Sequence, residues 1–120
     1  MTISSTNIVD DNFKVINKIT GGRNESDTVV TLNKLKGFTN ESKISVANLY
    51  YEVKGTGKVD LYFNEIDEEE TLITMTGIDN YGLKPNEKKF KGEGNLLITS
   101  DANVDSFKLM LECHKETGFN

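Results

Sequence analysis

The sequence predicts an all-β protein, an antiparallel β-sandwich or jelly-roll-like fold with about seven to nine strands. Apolar and polar residues alternate in most segments, which is the pattern of a strand with one buried face. No stretch of about eleven or more residues follows the 3.6-residue period of an amphipathic helix. Turn-forming residues recur between the alternating segments at intervals typical of short strands. We therefore expect residues 1–120 to form a single β-sandwich domain.

The N-terminal third predicts two strands after a first segment with two alternative roles. Met1–Val9 is either an ordinary first strand or an extended arm that adds as an edge strand to a neighbouring protein. The alternation from Phe13 to Ile19 predicts a strand, with Phe13 on its apolar face, although Asn17 interrupts the apolar row. After a loop rich in glycine and charged residues, Val29 to Leu32 predict a second, shorter strand.

Residues 43–54 predict one long strand with apolar side chains on both faces. Strict alternation assigns Ile44, Val46 and Tyr50 to one face and Ala47, Leu49, Tyr51 and Val53 to the other. A strand that is apolar on both faces is typical of a central position, or of a strand whose far face meets another surface.

The stretch from Asn48 to Asn64 predicts a β-hairpin. The run Gly55-Thr56-Gly57 offers two residues that can adopt positive φ, as tight hairpin turns require. Residues 59–63 then alternate cleanly between apolar and polar side chains. We expect the glycine turn to set the register of two neighbouring strands.

The second half of the chain predicts three further strands. One begins at Leu72, another at Leu96, and the last runs from Phe107 to Cys113 with clean alternation. Residues 77–94 are polar and contain Pro85, so they predict a long connection with a short strand near Tyr81.

The charge balance and the cysteine content exclude several classes of protein. The chain has 19 acidic and 14 basic side chains and a formal net charge of −5, so we expect no nucleic-acid partner. A single cysteine allows no intramolecular disulfide. No segment approaches the length of a membrane span, and the first residues lack the pattern of a signal peptide, so we expect no membrane partner.

No residue pattern predicts a catalytic, metal or cofactor site. Cys113 and His114 are neighbours in a strand and point to opposite faces, so they cannot form a nucleophile–base pair. We expect Cys113 in the core and His114 at the surface, and two such ligands cannot build a zinc site. The acidic run Glu65–Glu70 offers oxygen ligands for calcium but lacks the spacing of a calcium loop. A hydrolase that uses an unrecognised carboxylate pair remains an alternative.

The tyrosines suggest one binding site. Carbohydrate-binding sandwiches stack sugars on exposed aromatic rings, and this chain has four tyrosines and no tryptophan. Tyr50 and Tyr62 would face outward as a cross-strand pair if their strands were neighbours. The other interpretation of these two rings is that they stabilise the sheet or belong to the core between the sheets.

The order of segments resembles that of a known group of proteins. The likeness lies in the runs TNIVDDNFKVINKITG, DTVVTLNKLKGF, ISVANLYYEVKGTGKVDLYFN, LITMTGIDNYG, GNLLITS and DSFKLMLECHKETGF. In this pattern the chain resembles small all-β virion structural proteins of tailed phages, particularly those of marine and cyanobacterial hosts. The acidic run and Cys113 depart from that pattern.

The resemblance implies a non-enzymatic protein of the virion that needs no cofactor. The implied role is that of a decoration (cement) protein, which is made in the host cytoplasm and binds the outer capsid surface to stabilise the head. Its implied partners are the major capsid protein or another virion protein, and further copies of itself, for example in a trimer. The candidate partner-binding residues are Ile3, Ile8, Val9, Tyr50, Tyr62 and Phe119. A carbohydrate- or receptor-binding module of a phage tail or fibre, or of an extracellular protein, is the alternative.

Overall fold

A computed structural model describes residues 3–63, 71–81, 90–91 and 94–120. These residues contain nine strands of four or more residues, one two-residue strand and one turn of 3-10 helix at Leu32–Lys34. The strands are β1 (Ser4–Asp10), β2 (Lys14–Gly21), β3 (Ser26–Val30), β4 (Lys43–Gly55), β5 (Val59–Phe63), β6 (Thr71–Met75), β7 (Ile78–Tyr81), β8 (Phe90–Lys91), β9 (Leu96–Ser100) and β10 (Val104–Thr117). No helix among the described residues is long and apolar enough to cross a membrane.

The strands form two antiparallel sheets. The six-stranded sheet has the order β1-β2-β10-β4-β7, and β8 also pairs with β4. The four-stranded sheet has the order β3-β9-β5-β6. The predicted all-β sandwich is therefore confirmed. The long strand β4 is paired on both sides, which agrees with one of the two interpretations of its apolar faces.

The core lies between the inner faces of the two sheets. Every second residue of β5 and of β9 is buried, as the alternation predicts. The six-stranded sheet contributes Val15, Ile19, Ile44, Val46, Leu49, Val53, Phe107, Leu109, Leu111 and Cys113, and the four-stranded sheet contributes Val29, Val30, Val59, Leu61, Phe63, Met75, Leu96 and Ile98. Each fully buried aliphatic or aromatic side chain stabilises the fold by about 1.5–3 kcal/mol relative to an exposed one.

The connection at Gly55-Thr56-Gly57 is not a hairpin turn, so the predicted pairing of the strands on either side of it is wrong. β4 belongs to the six-stranded sheet and β5 to the four-stranded sheet, because the edges of β4 are taken by β10 on one side and by β7 and β8 on the other. The chain instead crosses from one layer of the sandwich to the other. The backbone N–H groups of Thr56 and Gly57 both donate to the carbonyl of Asn103, 3.1 Å away in each case.

We expect Gly57→Ala to destabilise the protein by about 2–3 kcal/mol, because overpacking a tight site costs energy of this order. A Cβ at position 57 would meet the Asp101 carboxylate and would lie 2.6 Å from the backbone nitrogen of Val104. Urea unfolding of both proteins measures the difference. Thr56→Ala, in the same turn and exposed, is the matched control. A Gly57→Ala protein as stable as this control would contradict the close packing of the crossover.

Strand β4 contains a β-bulge at Ala47. Val46 pairs with Cys113 of β10, whereas Asn48 pairs with Glu112. Two residue steps along β4 therefore match one step along β10, and Ala47 is the additional residue. A bulge of this kind reverses the alternation of inward and outward side chains at the point where it occurs.

This reversal explains why β4 looks apolar on both faces. Ile44 and Val46 before the bulge and Leu49 after it all lie in the core. Tyr50 is exposed and points away from the core, so the assignment of Tyr50 to the same face as Val46 is wrong. The prediction assumed that side chains alternate with a strict period of two. This assumption fails once a strand carries an extra residue.

Asn17 interrupts the apolar row because it links the two sheets. Its side chain is buried in β2, and its Nδ2 donates to Ser5 Oγ at 3.0 Å and to the carbonyl of Val29 in β3 at 2.9 Å. Asn17 Oδ1 accepts from Asn7 Nδ2 at 2.9 Å. Ser5 Oγ also donates to the Val29 carbonyl, at 2.7 Å. All polar groups of this side chain are thus satisfied, which removes the usual cost of burying an amide.

Two smaller predictions also need correction. Phe13 precedes β2 and is 76% exposed, because Asp11 Oδ1 accepts from the backbone N–H groups of Phe13 and Lys14 and closes a turn there. β3 ends at Val30, and Leu32 is buried from a 3-10 helix rather than from a strand. The short strand predicted near Tyr81 is present as β7. The acidic run at residues 65–70, which was considered as a source of calcium ligands, lies outside the described residues.

A buried lysine joins the last strand to two distant loops. The Lys115 side chain is 1% exposed, and its Nζ donates to Asp10 Oδ1 at 2.5 Å. The same nitrogen donates to the carbonyls of Asp11 at 2.7 Å and Lys36 at 2.8 Å. It also lies 5.0 Å from the centre of the Phe119 ring. All three N–H donors of the ammonium group therefore have acceptors, which offsets part of the cost of burying the charge.

Candidate interaction surface

The outward side of the six-stranded sheet is the candidate functional surface, and we call it the outer face. It is built from the outward positions of β1, β2, β10, β4 and β7. Met110 of β10 lies at its centre, opposite Lys18 of β2 on one side and opposite Tyr50 of β4 on the other. Lys108 and Glu112 occupy the outward positions of β10 before and after Met110. From Phe107 to Glu112, β10 pairs with both neighbours without interruption, and this pairing sets the arrangement.

The outer face carries four of the exposed large hydrophobic residues of the described structure. Met110 is 39% exposed and Tyr50 is 38% exposed, and Ile78 on β7 is 70% exposed. Ile8 is 51% exposed on β1, at the other edge of the same sheet. Among the described residues, only Phe13 is a further exposed large hydrophobic residue. Clustering on one face distinguishes these residues from the scattered apolar residues that are normal on protein surfaces.

Charged side chains surround the apolar centre of the outer face. Lys18 and Lys108 flank Met110, and together with Met110 and Tyr50 they line a shallow depression of about 190 Å³. Neither lysine forms an ion pair within the described part of the chain. The Tyr50 hydroxyl donates to Glu52 Oε1 at 3.0 Å, and this bond to a carboxylate raises the pKa of Tyr50. The charges of both signs alternate across the face.

A group of hydrogen-bonded polar residues continues the outer face beyond Met110. Glu112 Oε2 accepts from Asn48 Nδ2 at 3.0 Å and lies 2.9 Å from His114 Nε2. Ser45 pairs with His114 across the two strands, and its hydroxyl donates to Glu116. Hydrogen bonds from neighbouring residues of the same sheet therefore fix the carboxylates of Glu112 and Glu116.

The predicted separation of Cys113 and His114 is confirmed. Cys113 is fully buried in the core, and burial raises the pKa of its thiol strongly. His114 is half-exposed on the opposite face of β10, as predicted for a surface histidine. Within residues 3–63, 71–81, 90–91 and 94–120, no three His, Cys, Asp or Glu side chains are grouped so that they could hold a metal ion.

Tyr50 and Tyr62 do not form the predicted cross-strand pair. They belong to different sheets, because β4 and β5 are not neighbours. The Tyr62 hydroxyl lies 3.0 Å from Thr99 Oγ1 on the adjacent strand β9. Tyr62 therefore fits the sheet-stabilising role, and an aromatic platform made of both rings is absent from the described structure.

The remaining candidate residues differ in accessibility. Ile3 is buried in the core, and Val9 is half-buried. Phe119 packs partly against the core. Ile8 and Tyr50 are thus the two candidates that are exposed, and both belong to the six-stranded sheet. Met110 and Ile78 were missed, although an apolar residue at an outward position of an alternating strand such as β10 is a signal that could have identified Met110.

The larger depressions elsewhere in the described structure do not suggest a ligand. One of about 300 Å³ lies at the edge of the sandwich beside Asn17, and one of about 380 Å³ lies beside Phe38 and Ser42. The first is lined by polar and apolar groups in nearly equal parts, and the second mainly by polar groups. No buried polar side-chain atom in the described ranges lacks a hydrogen-bond partner, so none is left to bind a ligand.

Comparison with known proteins assigns no family to this chain. No family model matches the sequence, and no curated protein matches it. Among solved structures, the chain is similar to a cupin domain from Bordetella pertussis, with 11% sequence identity and a TM-score of 0.47. The match covers 97% of this chain and 95% of the other.

Proposed function

We propose that this protein is a non-enzymatic structural protein of a virion, of the decoration (cement) type, which binds the outer surface of a capsid and stabilises the head. The resemblance of its segments to small all-β proteins of tailed phages supports the proposal. The observation that carries it is strand β1, an edge strand whose residues from Ser4 to Ile8 are all exposed. Such an edge can pair with a strand of another protein.

The binding mode follows from how β1 is held. β1 pairs with β2 from Ser4 to Asp10, with a β-bulge at Ile8, and Ile3 just before it is buried in the core. The segment therefore acts as a fixed edge of the sheet and not as a detached arm. The occupant that we propose for this edge is a strand of the major capsid protein, which would form backbone hydrogen bonds to β1 while Ile8 packs against it. Many copies on one shell would convert modest individual interfaces into firm attachment.

Ile8→Lys is expected to reduce binding to capsids by at least about tenfold, because a charged side chain on an edge strand opposes the addition of another strand. The assay is co-sedimentation with purified tailed-phage capsids that lack their decoration protein. Ile78→Lys, at an exposed apolar position on β7 at the opposite edge of the sheet, is the matched control and should bind as the unmodified protein does.

The assay tests the proposed virion role and the proposed binding edge β1 separately. Absence of co-sedimentation by the unmodified protein would overturn the proposed virion role. Binding that Ile8→Lys leaves unchanged would overturn the role of β1. Deleting residues 1–9 is a poorer experiment, because it also removes Ile3 from the core.

A further inference from the structure

We infer that the outer face binds a second copy of this chain in a twofold dimer centred on Met110. The inference goes beyond the proposed function and does not depend on it, since the dimer would form in the absence of a capsid. It also differs from the trimer suggested by the resemblance, because the surface described below is complementary to itself.

The arrangement of residues on β10 is symmetric about Met110. Lys108 lies two residues before Met110 and Glu112 lies two residues after it, and all three point outward. A twofold axis that passes through Met110 and runs across the strand exchanges these two positions. Lys108 of each copy then faces Glu112 of the other. In a twofold interface every contact away from the axis occurs twice. The exchange therefore gives two equivalent Lys108–Glu112 ion pairs around the single Met110–Met110 contact on the axis.

The centre of the face suits a contact between identical surfaces. Met110 has a flexible, polarisable side chain that adapts to its own copy across the axis. Tyr50, at the same level on β4, would meet Tyr50 of the second copy, and aromatic residues are enriched in protein interfaces. Lys108 lies opposite Glu52 of β4 but forms no ion pair within the described part of the chain. Asn48 and His114 both contact Oε2 of Glu112, so Lys108 of one copy can reach Oε1 of Glu112 in the other.

Charge also explains how an acidic protein could associate with itself through this face. The whole chain carries a formal net charge of −5, which opposes association. On the outer face, however, the acidic Glu52 and Glu112 are accompanied by Lys18 and Lys108, at neighbouring positions of β2, β10 and β4. The two lysines and two glutamates of this face therefore balance in number. The same axis brings Lys18 of each copy opposite Lys18 of the other, and the two Lys108–Glu112 pairs must outweigh this like-charge contact.

The area of the face is sufficient for a weak dimer. Five strands spaced about 4.8 Å apart and about 30 Å of strand length give roughly 700 Å² for each copy. Stable complexes bury about 800 Å² per partner, and smaller interfaces are typical of weaker association. We therefore expect a dissociation constant in the micromolar range and a dimer that forms as the concentration is raised.

A charge exchange tests the proposed pairing. Lys108→Glu would place two carboxylates opposite each other and is expected to weaken the dimer by at least about tenfold. Adding Glu112→Lys restores opposite charges, and the double variant should dimerise within about threefold of the unmodified protein. Sedimentation velocity over a concentration series measures each constant. Lys58→Glu, an exposed lysine in the turn before β5, is the control of equal charge change and should leave the dimer unaffected.

A second variant tests the centre of the surface. Met110→Asp is expected to leave the protein monomeric at every concentration, since it places two carboxylates on the axis. Circular dichroism and thermal unfolding of each variant confirm that it is folded. An unmodified protein that remains monomeric, or that forms trimers, would overturn the inference. A double variant as weak as Lys108→Glu alone would also overturn it, because only the proposed facing of Lys108 and Glu112 predicts the rescue.

Discussion

Deleting Tyr50 is expected to prevent folding, whereas deleting Ala47, three residues earlier in the same strand, is expected to leave the fold intact. After the bulge, Leu49 and Val53 point into the core and Glu52 points outward. Removing Tyr50 shifts every later residue of β4 by one position. Val53 then faces outward and Glu52 faces the core, a change that we expect to cost more than about 4 kcal/mol.

Deletion of Ala47 has the opposite consequence. Val46 and Leu49 are then separated by one residue, Asn48, so both still face the core by simple alternation. The deletion removes only the additional residue of the bulge. We expect a loss of about 1 kcal/mol, because Ala47 is itself a small buried side chain.

Soluble expression, circular dichroism and urea unfolding of the two deletion variants measure these effects. The two deletions have the same length and lie in the same strand, so each is a control for the other. Two variants of similar stability would contradict the position of the bulge. A folded Tyr50 deletion would show in addition that the residues after Leu49 can slip in register.

Lys115→Met is expected to lower the free energy of unfolding by about 3 kcal/mol, although methionine has a similar length. The substitution removes the donor to Asp10 Oδ1 and to the carbonyls of Asp11 and Lys36, all within 2.8 Å of the nitrogen. Removing one partner of a buried ion pair costs about 3–5 kcal/mol, because the other group is left without compensation. Because Asp10 is partly exposed, we expect a cost at the low end of this range.

A double-mutant cycle separates the ion pair from the other contacts of this lysine. Asp10→Asn keeps a side-chain oxygen but removes the charge, and the cycle of both variants gives the coupling between them. Lys54→Met, at an exposed position of β4, is the control for the loss of a lysine. Urea unfolding provides all four free energies. A Lys115→Met protein as stable as the Lys54→Met control would contradict the structural role of the buried ammonium group.

The alternation of the sequence was sufficient to predict the layers but not the partners of the strands. Local pattern indicates which side of a strand is apolar, and this identified the strands and the burial of Cys113. It contains no information on which strands lie side by side. Gly55 and Gly57 could serve a tight hairpin or a crossover between layers, and the choice depends on β10, which occupies the edge of β4.

The candidate surface shows a similar limit. Tyr50 could be recognised as an outward-facing candidate, but it was assigned to the same face as Ile44 and Val46, because a bulge of one residue leaves no clear signal in composition. Nothing in the sequence around Lys115 indicates that its side chain is buried, since its acceptors come from segments about 80 and 105 residues away. Such groupings arise from the topology and cannot be found by inspecting neighbours in sequence.

The position of β10 has a consequence for the way the chain is made. β10 lies between β2 and β4, and both of these strands are synthesised long before it. Until β10 emerges from the ribosome, the six-stranded sheet lacks its central member, and β2 and β4 expose apolar side chains and unpaired backbone groups. Folding is therefore expected to wait for the last strand and to proceed slowly, as is usual when pairing is distant in sequence. During that interval the exposed apolar surface and unpaired strand edges make the growing chain prone to aggregate.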